Sequence, residues 1–336
     1  MPVHLLPFEK PIAEMENKLA ELRRFSESQD IDVSAEIRLM EEKIAEMRRR
    51  IFAELTPWQI VQLARHPQRP YTRDYLQHWK ADFLELHGDR LYADDAAIVG
   101  GLARLGDRRV MLIGTQKGRD MRSNVQCNFG CAYPDGYRKA LRLMRLADRF
   151  DLPIVTLIDT PGAYPGVQSE ERHIAEAIAV NLREMFRFRV PIIVSVTGEG
   201  GSGGALGIGV GDRVLILQYA YYSVISPEGC AAILWKDRAH ADRAAQALKL
   251  TAPDLLAAGM VDEVIPEPEG GAHRDPARMA EDLQAAILRH LRALEDGSPT
   301  DRLAARYEKF RRLGVYQEEP PPPSPPADDT ARHDSA

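Results

Sequence analysis

Apolar residues at Val33, Ile37, Met40, Ile44, Met47 and Ile51 recur at spacings of four and three, with Glu41, Glu42, Lys43, Glu46 and Arg48 to Arg50 on the other faces. That period predicts an amphipathic helix, and Met15, Leu19 and Leu22 begin a shorter stripe of the same kind. The run is too short to define a coiled coil by itself, so packing on the chain's own core and contact with another subunit both stay open. Thr56-Pro57 predicts an N-cap followed by proline at the first helical position, and Thr72 a further N-cap. Residues 1–71 therefore read as a helical extension.

Beyond Thr72 the pattern alternates between strand-length and helix-length stretches. Phe83 to Arg90 leads into strands expected at Ala97 to Leu102 and Arg109 to Lys117. Unbroken apolar runs at Leu152 to Ile158, Pro191 to Val196 and Arg213 to Gln218 predict buried strands, and Val261 to Ile265 a short one. Tyr137, Leu141, Met144, Ala147 and Phe150 form a helical stripe expected to pack on the sheet. A helix follows Pro227, bearing Cys230, Ile233, Leu234 and Trp235, and others are expected at Arg278 to Leu294 and Arg302 to Phe310. This is an α/β core over residues 72–296 with a helical segment at 297–316. The remaining stretch, 317–336, is proline-rich and polar without apolar period, and is expected to be disordered.

Composition narrows the possible partners. The 336 residues carry a formal net charge of −6, which gives no general electrostatic case for nucleic acid or an anionic membrane. No apolar run approaches the length of a membrane span and no signal-peptide core opens the chain, so a cytoplasmic protein is expected. Cys127 and Cys131 lie four apart and Cys230 is distant, too few and wrongly spaced for a four-thiolate zinc site. His87 is isolated and reads as structural or surface.

Candidate chemistry concentrates in two glycine-rich turns that follow apolar runs. Thr197 to Asp212 reads Thr-Gly-Glu-Gly-Gly-Ser-Gly-Gly-Ala-Leu-Gly-Ile-Gly-Val-Gly-Asp. Amides exposed there without side chains in front of them suit anionic oxygen. The run satisfies the dinucleotide pattern at Gly198, Gly200 and Gly203, yet the next strand ends in Gln218 where a ribose-binding acid is needed. As Gly200-x-Ser202-x-Gly204 it matches a nucleophile elbow, with Asp237 and His240 following in a charged stretch. A phosphate loop would need a Lys and a Ser or Thr after the last glycine, and both are missing. The plain alternative is a packing turn in which Gly203 to Gly211 lie close against a strand. The second turn is Asp159-Thr-Pro-Gly-Ala-Tyr-Pro-Gly166, before a helical stretch beginning near Ser169. Two strand, turn and helix units in succession describe a repeated way of making oxyanion donors.

Those two turns, together with Val224-Ile-Ser-Pro-Glu-Gly-Cys-Ala-Ala-Ile-Leu-Trp-Lys236, Asn128-Phe-Gly130 and Pro134-Asp-Gly-Tyr-Arg-Lys-Ala-Leu141, resemble the alpha subunits of bacterial acetyl-CoA carboxylase carboxyltransferase. The likeness runs in order from about Phe8 to about Tyr316. It implies an α/β fold of the ClpP/crotonase type, a spiral of ββα units, here with an N-terminal helical extension. It also implies transfer of a carboxyl group from N1 of carboxybiotin to the methyl carbon of acetyl-CoA, giving malonyl-CoA for fatty acid synthesis.

The same resemblance implies partners and roles. A zinc-ribbon beta subunit would complete an α2β2 assembly, served by a biotin carboxyl carrier protein and an ATP-using biotin carboxylase. ATP and metal are not expected on this chain. Gly203, Gly204 and Ala205 would offer the amides of its oxyanion hole toward carboxybiotin. Gly162, Ala163, Tyr164 and Gly166, with Gly200 and Gly201, would shape the biotin pocket, and the beta chain would hold most of the coenzyme A. A β-branched residue at Gly204 is expected to block the ureido oxygen and leave the fold intact. Gln168, His173 and Ile174 depart from the family's pattern, Gln168 standing where it has a glycine. Rival readings are a stand-alone hydratase, isomerase or serine hydrolase of the same fold, and a non-catalytic scaffold subunit.

Overall fold

The computed structural model describes residues 4–29 and 32–314. The tail expected at 317–336 lies outside the described residues. Eight strands, β1 (Leu84–Glu85), β2 (Ile98–Leu105), β3 (Arg108–Thr115), β4 (Ile154–Thr160), β5 (Ile192–Gly201), β6 (Arg213–Leu217), β7 (Tyr221–Ser223) and β8 (Glu263–Ile265), form one sheet. Its path is β1-β2-β3-β4-β5-β6-β8, with β7 added to the end of β5. The first three strands are antiparallel and the rest of the path is parallel. Every residue of β4 and β5 is buried, which is why both read as apolar runs without alternation.

Helix Pro134–Arg149 begins on a proline at its first turn and buries Tyr137, Leu141, Met144 and Ala147 against the sheet and helix Ile174–Met185. Phe150, expected to extend that stripe, is the C-cap instead and is 62% exposed, because the chain turns at Asp151 with φ 53°. The other large difference is in β5, which runs through Gly201 where the apolar pattern stops at Val196. Glu199, Gly200 and Gly201 stay extended because they pair with β7, and Thr160 of β4 pairs with Gly200.

The two N-terminal helices, Lys10–Gln29 and Ser34–Ala53, contact one another as a hairpin joined by the Arg48–Glu16 ion pair. Ile44 and Phe52 pack with Leu6, Ile12, Leu63 and Tyr219, and Met40, Met47 and Ile51 lie against that cluster. The sequence stripe therefore serves packing within the chain. Thr56 caps helix Pro57–Ala64, accepting from the Gln59 N–H. Thr72 does not cap helix Thr72–His78: Tyr71 occupies that position, its N–H satisfied by Asp74, while the Thr72 hydroxyl donates to the Thr115 carbonyl at 2.7 Å. At the other end, helices Pro276–Glu295 and Pro299–Arg311 close the molecule. Fully buried Arg306 fixes the last of them by donating to both Asp212 oxygens and to the carbonyls of Met185, Phe188 and Val190.

Candidate functional site

Strands β4 and β5 run side by side and parallel, so their carboxyl ends deliver the two glycine turns to one place, the usual position of a site in such sheets. In the first turn, the Thr160 hydroxyl accepts from the Gly162 N–H at 3.1 Å and lies 2.7 Å from the Gly130 carbonyl. In the second, Ser202 adopts φ 52° and opens the short helix Ser202–Leu206. The first amides of such a helix have no partner within it. Tyr137 donates its hydroxyl to the Gly204 carbonyl at 3.1 Å and Asn181 donates to Gly207 at 2.9 Å, which hold the helix from behind.

The turns touch. A Cβ on Gly204 would stand 2.3 Å from the Gly162 carbonyl carbon and 2.4 Å from the Ala163 nitrogen, and one on Gly201 would stand 2.2 Å from the Pro161 oxygen. Gly204 is thus a contact glycine between two backbones, and the expectation that a β-branched residue there leaves the fold intact is corrected by this geometry. Gly203 is different: a Cβ would meet Ile178 at an ordinary 3.5 Å. Gly203 and exposed Ser202 border an apolar groove of about 540 Å³, also lined by Leu206, Tyr222, Val224 and Phe310. Gly162, Ala163, Gly203, Gly204 and Ala205 come together, and Gly200 and Gly201 support them from β5. Tyr164 donates its N–H to the Ala132 carbonyl and its ring lies on Tyr133, 4.3 Å between centroids. Tyr133 borders a separate cavity of about 780 Å³ with Lys117, Arg119, Gln168 and Arg172.

Gly166 caps helix Val167–Glu171, which contains Gln168. Gln168 thus lies within a helix, where a glycine is not needed. Ile174 is buried and starts helix Ile174–Met185 after His173 turns at φ 63°.

Sequence reasoning missed the buried charges beneath the turns. Lys117 donates to Asp159 Oδ1 at 2.6 Å and to Glu199 Oε2 at 2.7 Å. Asp159 Oδ1 also accepts the Glu199 N–H, and Glu199 Oε1 accepts from Arg65 at 2.7 Å and from the Tyr221 hydroxyl at 2.8 Å. Burial pushes the Glu199 carboxyl upward, but Lys117 and Arg65 outweigh it and hold it down at about 2. These residues are scattered along the chain, and no local spacing links them.

The rival motifs are not assembled by hydrogen bonds among the described residues. Asp237 accepts from the Ala239 N–H and His240 packs edge-on to Trp235, and among the described residues no hydrogen bond joins either to Ser202. Gln218 accepts from the Glu267 N–H. His87 is paired with Asp94 at an exposed corner. Among the described residues, Glu9, His66 and His273 converge within metal-binding reach. However, His66 Nδ1 accepts from the Gln68 N–H at 3.2 Å, which puts the ring proton on Nε2, 3.1 Å from the His4 carbonyl. A metal on Nε2 would need the opposite tautomer, and one on Nδ1 would displace the Gln68 N–H.

A family model described as acetyl co-enzyme A carboxylase carboxyltransferase-like matches residues 5–314. The chain is 56% identical to the acetyl-coenzyme A carboxylase carboxyl transferase subunit alpha of Gloeobacter violaceus over 313 residues, 93% of this chain and 96% of that one. Among solved structures, transcarboxylase 12S with methylmalonyl-coenzyme A and methylmalonic acid bound is similar with a TM-score of 0.53 and 22% identity. That likeness covers 75% of this chain and 44% of the other, so the chain spans less than half of that protein. A chain of a Pseudomonas malonate decarboxylase hetero-tetramer in complex with coenzyme A gives a TM-score of 0.56 at 16% identity, covering 71% of this chain and 96% of that one. The two structural likenesses speak to the fold.

Proposed function

The chain belongs to the family of acetyl-CoA carboxylase carboxyltransferase alpha subunits, with its crotonase-type fold, and from that membership we propose that its paired glycine turns receive carboxybiotin while a beta subunit presents acetyl-CoA. The observation that carries this assignment of the site is the contact between the two turns at adjacent strand ends.

The chemistry needs two stabilised anions. Breaking the bond between N1 of biotin and the carboxyl carbon leaves the electron pair on the ureido group, with charge on its oxygen. The ureido anion then takes a proton from the methyl group of acetyl-CoA, and the resulting enolate attacks the released carboxyl carbon to form malonyl-CoA. Preorganised amides are worth about 3 kcal/mol each at such an oxygen when water is excluded. Gly203, Gly204 and Ala205 face this role toward the ureido oxygen, with Gly162, Ala163, Tyr164 and Gly166 as the neighbouring wall. Because biotin itself accepts the proton, the chain need not contribute a general base.

The wider assembly belongs to the same proposal: an α2β2 complex with a zinc-ribbon beta subunit, fed by a biotin carboxyl carrier protein and an ATP-using biotin carboxylase, in the cytoplasm. Among the described residues, no helix is long and apolar enough to cross a membrane. The test is to purify the chain alone and with a beta subunit, then follow carboxyl transfer between malonyl-CoA and free biotin. Activity only in the presence of both chains is the expected result. Robust transfer or malonyl-CoA decarboxylation by the isolated chain would overturn the division of labour.

A further inference from the structure

Asp159 and Glu199 each stand just ahead of one of the two turns, on β4 and β5. Both carboxylates are buried, and both reach one ammonium, that of Lys117 two residues past the end of β3, at 2.6 and 2.7 Å. The two carboxylate oxygens therefore lie no more than about 5 Å apart, close enough that without a cation they repel strongly. Lys117 is in turn confined by the main chain of the site, since a Cβ on Gly130 would stand 2.8 Å from its Cγ. Asp159 Oδ2 is buried with no hydrogen-bond partner among the described residues, so this carboxylate depends on Oδ1 for its compensation.

We propose that Lys117 is a positioning residue for carboxyl transfer: its ammonium clamps the ends of β4 and β5 and so sets the spacing of the two oxyanion turns. This rests on the reading of the turns as the carboxybiotin site. Lys117 touches no reacting atom in it; its effect passes through Asp159 and Glu199.

Other charged and titratable groups packed about the pair are Arg65, Tyr221, Glu228 and Cys131 around Glu199, and Arg69, Tyr71 and Tyr75 near Asp159. Of these only Arg65 and Tyr221 bond to Glu199, and both act on Oε1, leaving Oε2 to Lys117. Replacing the ammonium with an apolar side chain leaves Glu199 Oε2 unpaired and Asp159 Oδ1 with the Glu199 N–H alone, and one carboxyl takes up a proton more readily.

The experiment compares Lys117→Met with the double variant Lys117→Met/Glu199→Gln, each assembled with the beta subunit, by kcat, KM for malonyl-CoA and thermal melting. Lys117→Met should lose about 10²-fold in kcat, the cost of a misplacement of roughly 1 Å, with KM for malonyl-CoA unchanged. Its kcat relative to wild type should rise as pH falls from about 8 to about 6, because a shared proton substitutes for the lost cation. The double variant, which removes one negative charge along with the cation, should recover most of the lost kcat and show no such rise. Equal kcat in wild type and Lys117→Met would overturn the proposal. So would a loss that neither low pH nor Glu199→Gln relieves, or one matched by an equal loss of thermal stability that persists in the double variant. An inactive wild-type complex would instead overturn the functional assignment, which separates the two failures.

Discussion

Replacing Gly204 with alanine adds one methyl group where the two turns touch. Its Cβ would stand 2.3 Å from the Gly162 carbonyl carbon, 2.4 Å from the Ala163 nitrogen and 2.7 Å from the Gly162 Cα. All three are backbone atoms, so no side chain can swing aside, and restoring ordinary contact requires the two turns to part by roughly 1 Å. Overpacking of this kind costs about 1–3 kcal/mol, and a displacement of that size at reacting groups costs about 10²-fold in rate. The control is Gly203→Ala, one residue away, whose Cβ meets only Ile178, at 3.5 Å and beyond. It keeps the amides in place and gains about 0.5–1 kcal/mol from a less flexible unfolded chain. With both variants assembled with the beta subunit, Gly204→Ala should melt earlier and turn over about 10²-fold more slowly with KM for malonyl-CoA unchanged. Gly203→Ala should melt at or above the wild-type temperature and turn over within about threefold of it, its donors being retained. Wild-type melting and turnover in Gly204→Ala would refute the reasoning, because the turns would then not be held by this contact.

Ser202→Ala should keep most of the activity, and a fluorophosphonate should fail to label the protein; stoichiometric labelling would revive the hydrolase reading. Burial and then neighbouring His273 depress His66 to about 4, so the fold favours its neutral ring. That contribution is fully present above the ordinary histidine range near 6.5 and is lost as pH falls toward 4, so melting temperatures over this window should drop less in His66→Asn than in wild type. Identical slopes would show that His66 does not carry the effect. Arg306→Met strips the buried Asp212 carboxylate of its cation and three carbonyls of their donor, and should cost about 3–5 kcal/mol in urea unfolding. A loss below about 1 kcal/mol would mean that water replaces the guanidinium there.

The parallel strands were legible because both of their faces are covered, which leaves unbroken apolar runs in the sequence. Helix starts were legible where proline and a hydroxyl coincide, as at Thr56-Pro57. Thr72 misled because its hydroxyl serves a partner on β3, 43 residues away, which no local rule foresees. The glycines of β5 misled differently. Glycine suggests a turn, yet Gly200 and Gly201 remain extended because they pair with β7, and they are glycines because Tyr221, Tyr222 and Pro161 fill the space where a side chain would stand. The turns themselves were legible as glycine-rich breaks following two apolar runs. Their mutual contact was not, since Gly162 and Gly204 are distant in sequence.

The buried ions lie furthest from anything a sequence pattern can disclose, and they bear directly on the proposed chemistry. A site that gathers negative charge on a ureido oxygen is poorly served by two carboxylates directly behind its turns. Asp159 and Glu199 are nevertheless there, because they fix the backbone: Asp159 accepts the Glu199 N–H at 2.9 Å and so ties β4 to β5 just before both turns. Lys117 and Arg65 make this arrangement compatible with an anion above it, by pairing with those carboxylates at 2.6 to 2.7 Å. Paired in this way, the acids keep their structural hydrogen bonds. In the proposed reaction the amides of the turns would then present partial positive charge, the sign a developing oxyanion requires.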